Sequence, residues 1–332
     1  MAAASGSGTV RGLVVPVSGQ ASRTGTGRTR KDVMRLSTLP RSAMAVLAVA
    51  LFMAGAPLEA QASSACTFKP RVGQSGKDVV WVPTPDAVVD RMLRMAQVTP
   101  GDYVVDLGSG DGKIVILAAQ RFGVRGLGIE YDPDMVELSR CLAREARVAE
   151  MTRFERGDIF ASDFTQATVV TMYLLPELNR RLRPLLFARM KPGTRIVSHQ
   201  FTMGDWQPDE SSSVDDKASH FWVIPANAGG HWKLTWRGEP GEGGGDLTLV
   251  QTFQKIGGRV RFRELEAGLR DARLRGDRIA FELMDETGVL RSFTGRILGD
   301  RIEGTALGPD GRPVAFTAVR VGAAPPIGGS TD

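Results

Sequence analysis

A glycine-rich loop flanked by carboxylates is the clearest chemical signal in this sequence. Residues 104–112 read Val-Val-Asp-Leu-Gly-Ser-Gly-Asp-Gly. Glycines such as Gly108 and Gly110 let the backbone turn sharply and let a ligand approach main-chain N–H groups. Asp106 precedes the first glycine, and Glu130 ends the next apolar run, 24 residues after Asp106. A carboxylate in that place can accept two hydrogen bonds from ribose hydroxyls, so the loop predicts a nucleotide-like ligand.

Two details favour S-adenosylmethionine over a dinucleotide. Lys113 stands where a Gly-x-Gly-x-x-Gly pyrophosphate fingerprint needs its third glycine. The carboxylate of Asp106 suits the ammonium of a methionine group better than the negative charges of a diphosphate. Further along, Asp158 and Ile159 follow Gly157, where a carboxylate can accept from an adenine amino group and a backbone N–H can serve a ring nitrogen. Together these residues predict a site for S-adenosylmethionine.

Strand-like apolar runs alternate with amphipathic helical runs across the segment that holds these residues. Strands are predicted at 103–107, 126–130, 168–173 and 194–198, and helices at 113–122, 133–148 and 177–190, the last interrupted at Pro184. Such alternation predicts an α/β domain with a mostly parallel, doubly wound, Rossmann-like sheet. The strand runs show no regular switching between polar and apolar residues, which suits strands that are buried on both faces.

The pattern changes after residue 236. Residues 237–246 are rich in Gly, Glu and Pro and have the composition of a linker. Beyond them a two-residue period in Leu247, Leu249 and Phe253, and again over 279–283, indicates half-buried antiparallel strands. We therefore predict an α/β domain over 63–236, a linker over 237–246, a small antiparallel all-β domain over 247–322 and a disordered tail over 323–332.

The charge of the chain is concentrated at its N-terminus. The 332 residues carry 42 Lys plus Arg and 37 Asp plus Glu, and residues 1–62 hold seven of the basic and two of the acidic side chains. The remainder is therefore neutral, which argues against nucleic acid as a partner. An unbroken apolar run at 43–54 follows Arg41 and precedes Ala60-Gln61-Ala62, the layout of a secretory signal peptide. We predict export to a periplasmic or extracellular compartment, without stable membrane insertion after cleavage; an uncleaved anchor is the alternative.

The two cysteines and three histidines have no metal-ligand spacing, so no metal site is predicted. Cys141 lies near Met135 and Leu138 on one face of a predicted helix, which favours a buried structural thiol. Cys66 is interpreted as an ordinary residue. A disulfide between the two is possible in an oxidising compartment, but sequence does not test its geometry.

Several segments resemble a known family of enzymes. The glycine loop with its two partner carboxylates resembles the motifs of class I S-adenosylmethionine-dependent methyltransferases. Residues 81–85 (Trp-Val-Pro-Thr-Pro), 171–179 (Thr-Met-Tyr-Leu-Leu-Pro-Glu-Leu-Asn) and 191–199 (Lys-Pro-Gly-Thr-Arg-Ile-Val-Ser-His) are similar to the archaeal broad-specificity protein lysine methyltransferases. They are also similar to the mitochondrial enzyme that methylates the c-subunit of ATP synthase. The resemblance covers about residues 79–206.

This resemblance implies methyl transfer to a nucleophilic nitrogen, most simply a protein lysine. Thr84 alone would be a plain helix N-cap before Pro85. The resemblance adds a contact between Thr84 and the methionine end of the cofactor. It makes Tyr173 and Leu174 candidates for the acceptor channel, with a buried core tyrosine as the alternative. His199, which follows the fifth strand, is interpreted as a structural hydrogen-bonding group rather than a base.

Other functions remain open at this point. A small-molecule methyltransferase would use the all-β domain as a lid or substrate platform. A non-catalytic protein would bind S-adenosylmethionine and turn nothing over. An oxidoreductase would bind NAD(H) in the same loop. The exported N-terminus and the all-β domain are the two departures from the lysine methyltransferases.

Overall fold

The computed structural model describes residues 66–238 and 241–328. The predicted N-terminal extension and signal peptide, 1–62, lie outside the described residues. Within the described ranges no helix has both the length and the apolar character needed to cross a membrane.

The first half of the described chain forms a seven-stranded sheet covered by helices. Its strand order is β3-β2-β1-β4-β5-β7-β6, with β1 to β5 parallel and β6 and β7 antiparallel. The strands are β1 (Tyr103–Leu107), β2 (Arg125–Glu130), β3 (Thr152–Arg156), β4 (Val169–Met172), β5 (Arg195–His199), β6 (Glu210–Val214) and β7 (Lys217–Val223). The helices are α1 (Asp86–Met95), α2 (Lys113–Phe122), α3 (Pro133–Glu145) and α4 (Pro176–Arg189).

The predicted mostly parallel α/β sheet is confirmed, and its central strands are buried as expected. Every residue of β4 is buried, as are the last four of β1. The strand order reverses between β1 and β4, and in open α/β sheets ligands bind outside the carboxyl ends of the strands at such a switch point. Asp106, Glu130 and the residues after Met172 all lie at that edge.

Two local details depart from the sequence pattern. Helix α4 continues through Pro184 rather than breaking there. A proline removes one backbone donor, but Leu182 and Leu186 on either side are completely buried, and this packing holds the helix together. The structure also has an edge strand, β3 (Thr152–Arg156), which the apolar runs did not reveal because its residues are mostly half-buried or exposed.

The second half of the described chain forms a nine-stranded sheet in which every neighbouring pair is antiparallel. Its order is β11-β10-β9-β8-β16-β15-β14-β13-β12. The strands are β8 (Gly230–Gly238), β9 (Gly241–Thr252), β10 (Lys255–Arg261), β11 (Glu266–Gly268), β12 (Arg270–Arg275), β13 (Arg278–Met284), β14 (Leu290–Leu298), β15 (Arg301–Leu307) and β16 (Pro313–Val321). The sheet curves around a core of aromatic rings, among which Phe281 and Phe293 stack with centroids 4.9 Å apart.

The predicted linker at 237–246 is wrong. Strands β8 and β9 pair across it from Gly230↔Leu249 to Gly238↔Gly241, so the all-β sheet begins at Gly230. The glycines that suggested a linker are needed for packing: a Cβ on Gly243 would lie 2.2 Å from ring atoms of Trp236. The described part of the predicted disordered tail also makes contacts, since the Pro325 carbonyl accepts a 2.6 Å hydrogen bond from Asn227 Nδ2.

The two sheets share packing contacts. The ring of Phe253, at the β9–β10 turn, packs against Phe187 of α4 and Trp206 in the β5–β6 connection, with centroids 5.9 and 6.1 Å away. The turn between β12 and β13 rests on the chain before β5, because a Cβ on Gly276 would lie 3.0 Å from Gly193 Cα.

Cys66 and Cys141 form a disulfide. Of the alternatives left open for the two cysteines, the structure shows the disulfide, so the interpretation of Cys141 as a buried structural thiol is wrong. Cys141 lies on α3 but is only partly buried, which leaves its sulfur within reach of the segment that precedes α1. The bond ties residues 66–82, which we call the N-terminal strap, to α3.

Candidate functional site

A cleft opens at the carboxyl ends of β1, β2 and β4. It encloses about 980 Å³ of empty space, including the part open to solvent. All nine residues that the sequence analysis singled out line this cleft: Thr84, Asp106, Gly108, Gly110, Glu130, Asp158, Ile159, Tyr173 and Leu174. The structure thus brings them together, while the contact that each one makes with a ligand stays a prediction.

The glycine loop has the backbone that its sequence demands. Gly108, Gly110 and Gly112 have φ values of +77°, +55° and +77°, which L side chains rarely adopt. A Cβ on Gly110 would lie 2.6 Å from Trp81 Nε1, and one on Gly112 would lie 2.6 Å from the Phe154 ring. The loop therefore fits tightly beneath the strap and against β3. Its N–H groups bond within the protein, those of Gly108 and Ser109 to Ile129 O and that of Gly110 to Glu130.

Glu130 is held rigidly at the end of β2. Its Oε2 accepts from the N–H of Gly110 at 2.8 Å, and its Oε1 accepts from the N–H groups of Tyr131 and Asp132 at 2.8 and 3.0 Å. A carboxylate has about four acceptor positions, and these three bonds leave one on Oε2 for a ligand's hydroxyl group. The hydrogen bond from Gly110 fixes the distance between the glycine loop and this carboxylate.

Asp106 is buried at the base of the loop. Its side chain is 2% exposed, and Thr171 Oγ1 donates a 2.7 Å hydrogen bond to its Oδ1. Burial raises the pKa of Asp106 to about 7, against the opposing effect of the Thr171 hydroxyl, and the nearby Glu130 and Asp111 raise it further. A cation placed beside this carboxylate would stabilise its ionised form.

The raised pKa predicts a pH dependence of stability. Because the folded state holds the Asp106 proton more tightly than the unfolded state, the contribution of this group is present below about pH 4 and is lost as pH rises through about 7. The unfolding free energy of the ligand-free wild type, minus that of Asp106→Asn, should therefore fall over this window by up to about 1.4 kcal/mol per pH unit. Urea titrations of both proteins at several pH values measure it. A difference that is flat or rising with pH would contradict the burial assigned to this carboxyl.

Asp158 is paired with a residue of the N-terminal strap. Lys77 Nζ lies 2.6 Å from its Oδ2, and the N–H of Phe160 donates to Oδ1 at 2.9 Å. The hydrogen bond from Lys77 lowers the pKa of Asp158, and the Phe160 N–H adds to the effect. The same ammonium lies 4.9 Å from the ring centroid of Tyr131. Lys77 therefore closes the strap over the end of the cleft where an adenine was predicted.

The strap is the part of the site that sequence reasoning missed. Its residues 74–82 line the cleft and form a small hairpin, closed by hydrogen bonds from Gly73 N–H to Trp81 O and from Trp81 N–H to Gln74 O, both 2.9 Å. Trp81 stood in a segment that resembled the lysine methyltransferases. Lys77 had no signal in the sequence, because its role depends on a contact with a carboxylate 81 residues away.

Thr84, His199 and Tyr173 form a cluster at the other end of the cleft. Thr84 Oγ1 and His199 Nδ1 are 3.1 Å apart, and both residues are buried. The rings of His199 and Tyr173 have centroids 3.9 Å apart. Burial and the charge of Lys217 lower the pKa of His199 to about 4, so the imidazole is neutral at pH 7. His199 Nε2 is buried and has no hydrogen-bond partner among the described residues.

The chain that forms this cleft is similar to known methyltransferases. The sequence model of one protein family, the ANTKMT methyltransferase domain, matches residues 106–210. A protein-lysine N-methyltransferase of Saccharolobus islandicus is 42% identical over 139 residues, which are 42% of this chain and 86% of that protein. The adenine nucleotide translocase lysine N-methyltransferase of mouse is 32% identical over 143 residues, 43% of this chain and 61% of that protein. This chain thus spans less than two thirds of the mouse relative.

A solved structure is also similar. The RNA methyltransferase of Salinibacter ruber, crystallised in complex with S-adenosyl-L-homocysteine, is 52% identical; the match covers 43% of this chain and 93% of that chain, with a TM-score of 0.42.

The fold and the cleft define a class I methyltransferase. The chain belongs to the S-adenosylmethionine-dependent methyltransferase family that includes the protein-lysine N-methyltransferases. S-adenosylmethionine is its methyl donor.

The residues present fit that donor. The glycine loop leaves room that any Cβ would fill, the Glu130 carboxylate is prepositioned, and Ser109 Oγ at the loop is buried without a partner among the described residues. The negative charge of Asp106 suits an ammonium group.

Proposed function

We propose that this protein transfers the methyl group of S-adenosylmethionine to the side-chain amine of a protein lysine. The observation that carries the proposal is the acceptor end of the cleft, which is aromatic and apolar and to which the described residues contribute no charged base. Tyr173 and Leu174 line it, and the one titratable ring beside them, His199, is buried and neutral. The similarity to protein-lysine N-methyltransferases supports the same acceptor.

Each candidate residue receives a role in binding or orientation. Glu130 would hold the ribose hydroxyls, Asp158 and the N–H of Ile159 the adenine, and Asp106 with the loop at Gly108 and Gly110 the methionine end. Thr84 would complete the methionine end from the strap side. When bound, S-adenosylmethionine supplies a methyl group on a sulfonium, which is open to displacement by a neutral amine. The protein then contributes alignment and the exclusion of water rather than a covalent intermediate.

The walls of the acceptor channel would prepare the lysine. A free lysine amine has a pKa of about 10.4, so only a small neutral fraction exists at pH 7. Contact with Tyr173 and Leu174 removes water from the ammonium, which favours the neutral amine. The proton can leave to solvent before attack, because the amine is a competent nucleophile once it is neutral. This scheme needs no general base on the protein.

His199→Ala should therefore keep most of the activity. We expect a loss in kcat of less than about tenfold, with the rate rising with pH to a plateau set by the substrate amine. Initial rates between pH 6 and 10, with thermal midpoints recorded alongside, measure this. A loss of about 1000-fold in a folded variant would instead indicate general-base catalysis and an acceptor other than lysine.

Glu130→Ala should weaken binding of S-adenosylmethionine by roughly 5- to 150-fold. The change leaves ribose hydroxyls underpaired, at a cost on the order of 1 to 3 kcal/mol. Glu137→Ala, on the exposed face of the neighbouring helix, is the matched control, because among the described residues its carboxylate pairs with Arg140 alone. Calorimetric titration of the three proteins compares them. Equal affinity in wild type and Glu130→Ala would overturn the ribose assignment.

The acceptor is tested by transfer of a labelled methyl group. The purified protein is incubated with methyl-labelled S-adenosylmethionine and a cell-envelope extract, and the products are separated into protein, RNA and small molecules. Label that is recovered as methyl-lysine after protein hydrolysis supports the proposal. Label in small molecules would favour the alternative methyltransferase, and label in RNA would exclude lysine as the acceptor. Binding of the donor with no transfer to any fraction would favour a non-catalytic protein.

The all-β sheet is not proposed as a lid for this reaction. Among the described residues, those that line the cleft all fall between positions 74 and 178, before the sheet begins at Gly230. The N-terminal strap, rather than the all-β sheet, covers the cleft, so a small-molecule methyltransferase would also use the strap as its lid.

We propose further that the protein acts outside the cytoplasm. The apolar run at 43–54 and the small residues at 60 and 62 support this, and the Cys66–Cys141 disulfide is of the kind that persists in oxidising compartments. A fusion of residues 34–80 to a reporter active only outside the cytoplasm should be active and processed. An unprocessed fusion retained in the cytoplasm would rule out export.

A further inference from the structure

Three arginines project from neighbouring strands of the all-β sheet at directly opposed positions. Arg275 of β12 lies opposite Arg278 of β13, and Arg278 lies opposite Arg296 of β14. All three are exposed and alternate along their strands with buried residues such as Leu274 and Ile279, so they share the outer face of the sheet. Directly opposed like charges on one face of an antiparallel pair destabilise it. The free protein therefore holds an arrangement that works against its own fold.

Nearby acids offset only part of this charge. The charge of Arg275 acts to lower the pKa of Asp209, although burial raises that pKa overall, and the two residues form no ion pair. Arg296 pairs with Asp277 at 3.0 Å. Across the described ranges 66–238 and 241–328, the side chains of Arg273, Arg275 and Arg278 form no ion pair or hydrogen bond. Elsewhere on the same outer face opposite charges do pair, as Arg237 does with Glu242 at 3.0 Å. Arg273, Arg275 and Arg278, which lack an ion pair among the described residues, thus lie together at one corner of the sheet.

The corner is concave. Arg273, Arg275, Arg278 and Arg296 surround a shallow basin that is also lined by the small residues Ala280, Thr294 and Gly295. We call these four arginines and three small residues the arginine basin. Planar guanidinium groups present several N–H donors in a fork that matches the oxygens of a phosphoryl group.

We propose that the arginine basin binds a compact phosphate-bearing anion. A phosphate brings about two negative charges and three acceptor oxygens to one point, whereas a single carboxylate brings one charge and two oxygens. The guanidinium groups of Arg273, Arg275 and Arg278, which line one basin and form no ion pair among the described residues, match the first ligand better. The phosphoryl group can belong to a soluble compound or to a lipid headgroup, since both present the same chemistry.

The basin is distinct from the methyl-transfer cleft and does not rest on the proposed function. The β12–β13 turn beside it packs on Gly193 before β5, at the end of the parallel sheet away from the cleft, and the Ala226 N–H donates to Gly276 O at 2.8 Å. Charge removed from the basin should leave S-adenosylmethionine affinity unchanged.

Calorimetric titration of the full chain with tripolyphosphate, in phosphate-free buffer at about 0.15 M salt, tests the proposal. The double variant R275Q/R278Q should bind it about tenfold or more weakly than wild type, because each guanidinium donates charge-assisted hydrogen bonds. The control R237Q/R261Q removes two positive charges from the same sheet, both of which pair with acids. It should keep wild-type affinity. Absence of binding to the wild type, or equal weakening in both variants, would overturn the proposal.

Thermal unfolding gives a second readout. R275Q/R278Q should unfold at the same temperature as wild type or a higher one, since the opposed charges are gone, and tripolyphosphate should stabilise only proteins with an intact basin. A lower midpoint would mean that the arginines serve the fold, and it would contradict a ligand site. Sedimentation with phosphatidylglycerol vesicles, against phosphatidylcholine vesicles, then identifies the source. Sedimentation with the phosphatidylglycerol vesicles that depends on Arg275 and Arg278 indicates a lipid headgroup. Binding of tripolyphosphate without such sedimentation indicates a soluble phosphate compound.

Discussion

Gly110→Ala is expected to weaken binding of S-adenosylmethionine by about 100-fold or more while leaving the protein folded. The new Cβ would lie 2.6 Å from Trp81 Nε1 and 2.8 Å from Trp81 Cδ1, at a φ of +55°. Relief requires the loop or the strap to move. Movement of the loop breaks the hydrogen bond from the Gly110 N–H to Glu130, and movement of the strap displaces Trp81, which lines the cleft. A left-handed conformation costs an L residue about 1 to 2 kcal/mol, and a hydrogen bond to a charged group about 1.5 to 3 kcal/mol. At about 1.4 kcal/mol per tenfold, these costs reach about 100-fold.

Gly101→Ala is the matched control for this prediction. A Cβ there would meet nothing nearer than Thr99 Oγ1 at 3.9 Å, and its backbone is not left-handed. It should bind S-adenosylmethionine as the wild type does. Calorimetry with all three proteins, with circular dichroism to confirm folding, makes the comparison. If Gly110→Ala bound the donor as tightly as Gly101→Ala, the glycine loop would not be the floor of the donor site.

Replacement of both Cys66 and Cys141 by serine is expected to lower the unfolding free energy by about 2 to 4 kcal/mol. The disulfide closes a loop between residues 75 positions apart, and a cross-link of that length restricts the unfolded chain strongly. Urea unfolding monitored by tryptophan fluorescence measures the loss. The strap would lose its covalent tie to α3, so the donor affinity should fall as well, even though neither cysteine lines the cleft.

Reduction of the wild type provides the control for the serine variant. With dithiothreitol, the wild type should unfold at the urea concentration of the double variant, and the double variant itself should not respond. Identical midpoints for the oxidised wild type and the double variant would mean that the disulfide does not hold the strap.

The sequence was informative about the site where chemistry restricts the choice of residue. Glycines at positive φ and carboxylates at strand ends leave a local pattern, so Asp106, Gly110 and Glu130 could be placed before any coordinates. The parallel sheet could be predicted for a similar reason, because strands buried on both faces lack polar alternation. These features depend on short stretches of chain.

What the sequence did not reveal depends on contacts between distant residues. Lys77 meets Asp158, and Cys66 meets Cys141, across more than seventy positions. The segment 237–246 was misassigned because its glycines serve close packing within a sheet, and composition alone does not distinguish that use from a flexible linker. The arginine basin is visible only once the strand register sets Arg275, Arg278 and Arg296 side by side.

A crystal structure of the protein with bound S-adenosyl-L-homocysteine tests the central claim most directly. We expect the ribose hydroxyls on the Glu130 carboxylate and the sulfur facing Tyr173. We expect the adenine beside Asp158, with Lys77 either displaced from Asp158 or shared between Asp158 and the ligand. Ligand bound in this cleft with its sulfur turned away from Tyr173 would contradict the acceptor channel. Ligand bound outside the cleft, with Glu130 still closed on the Gly110, Tyr131 and Asp132 N–H groups alone, would contradict the account as a whole.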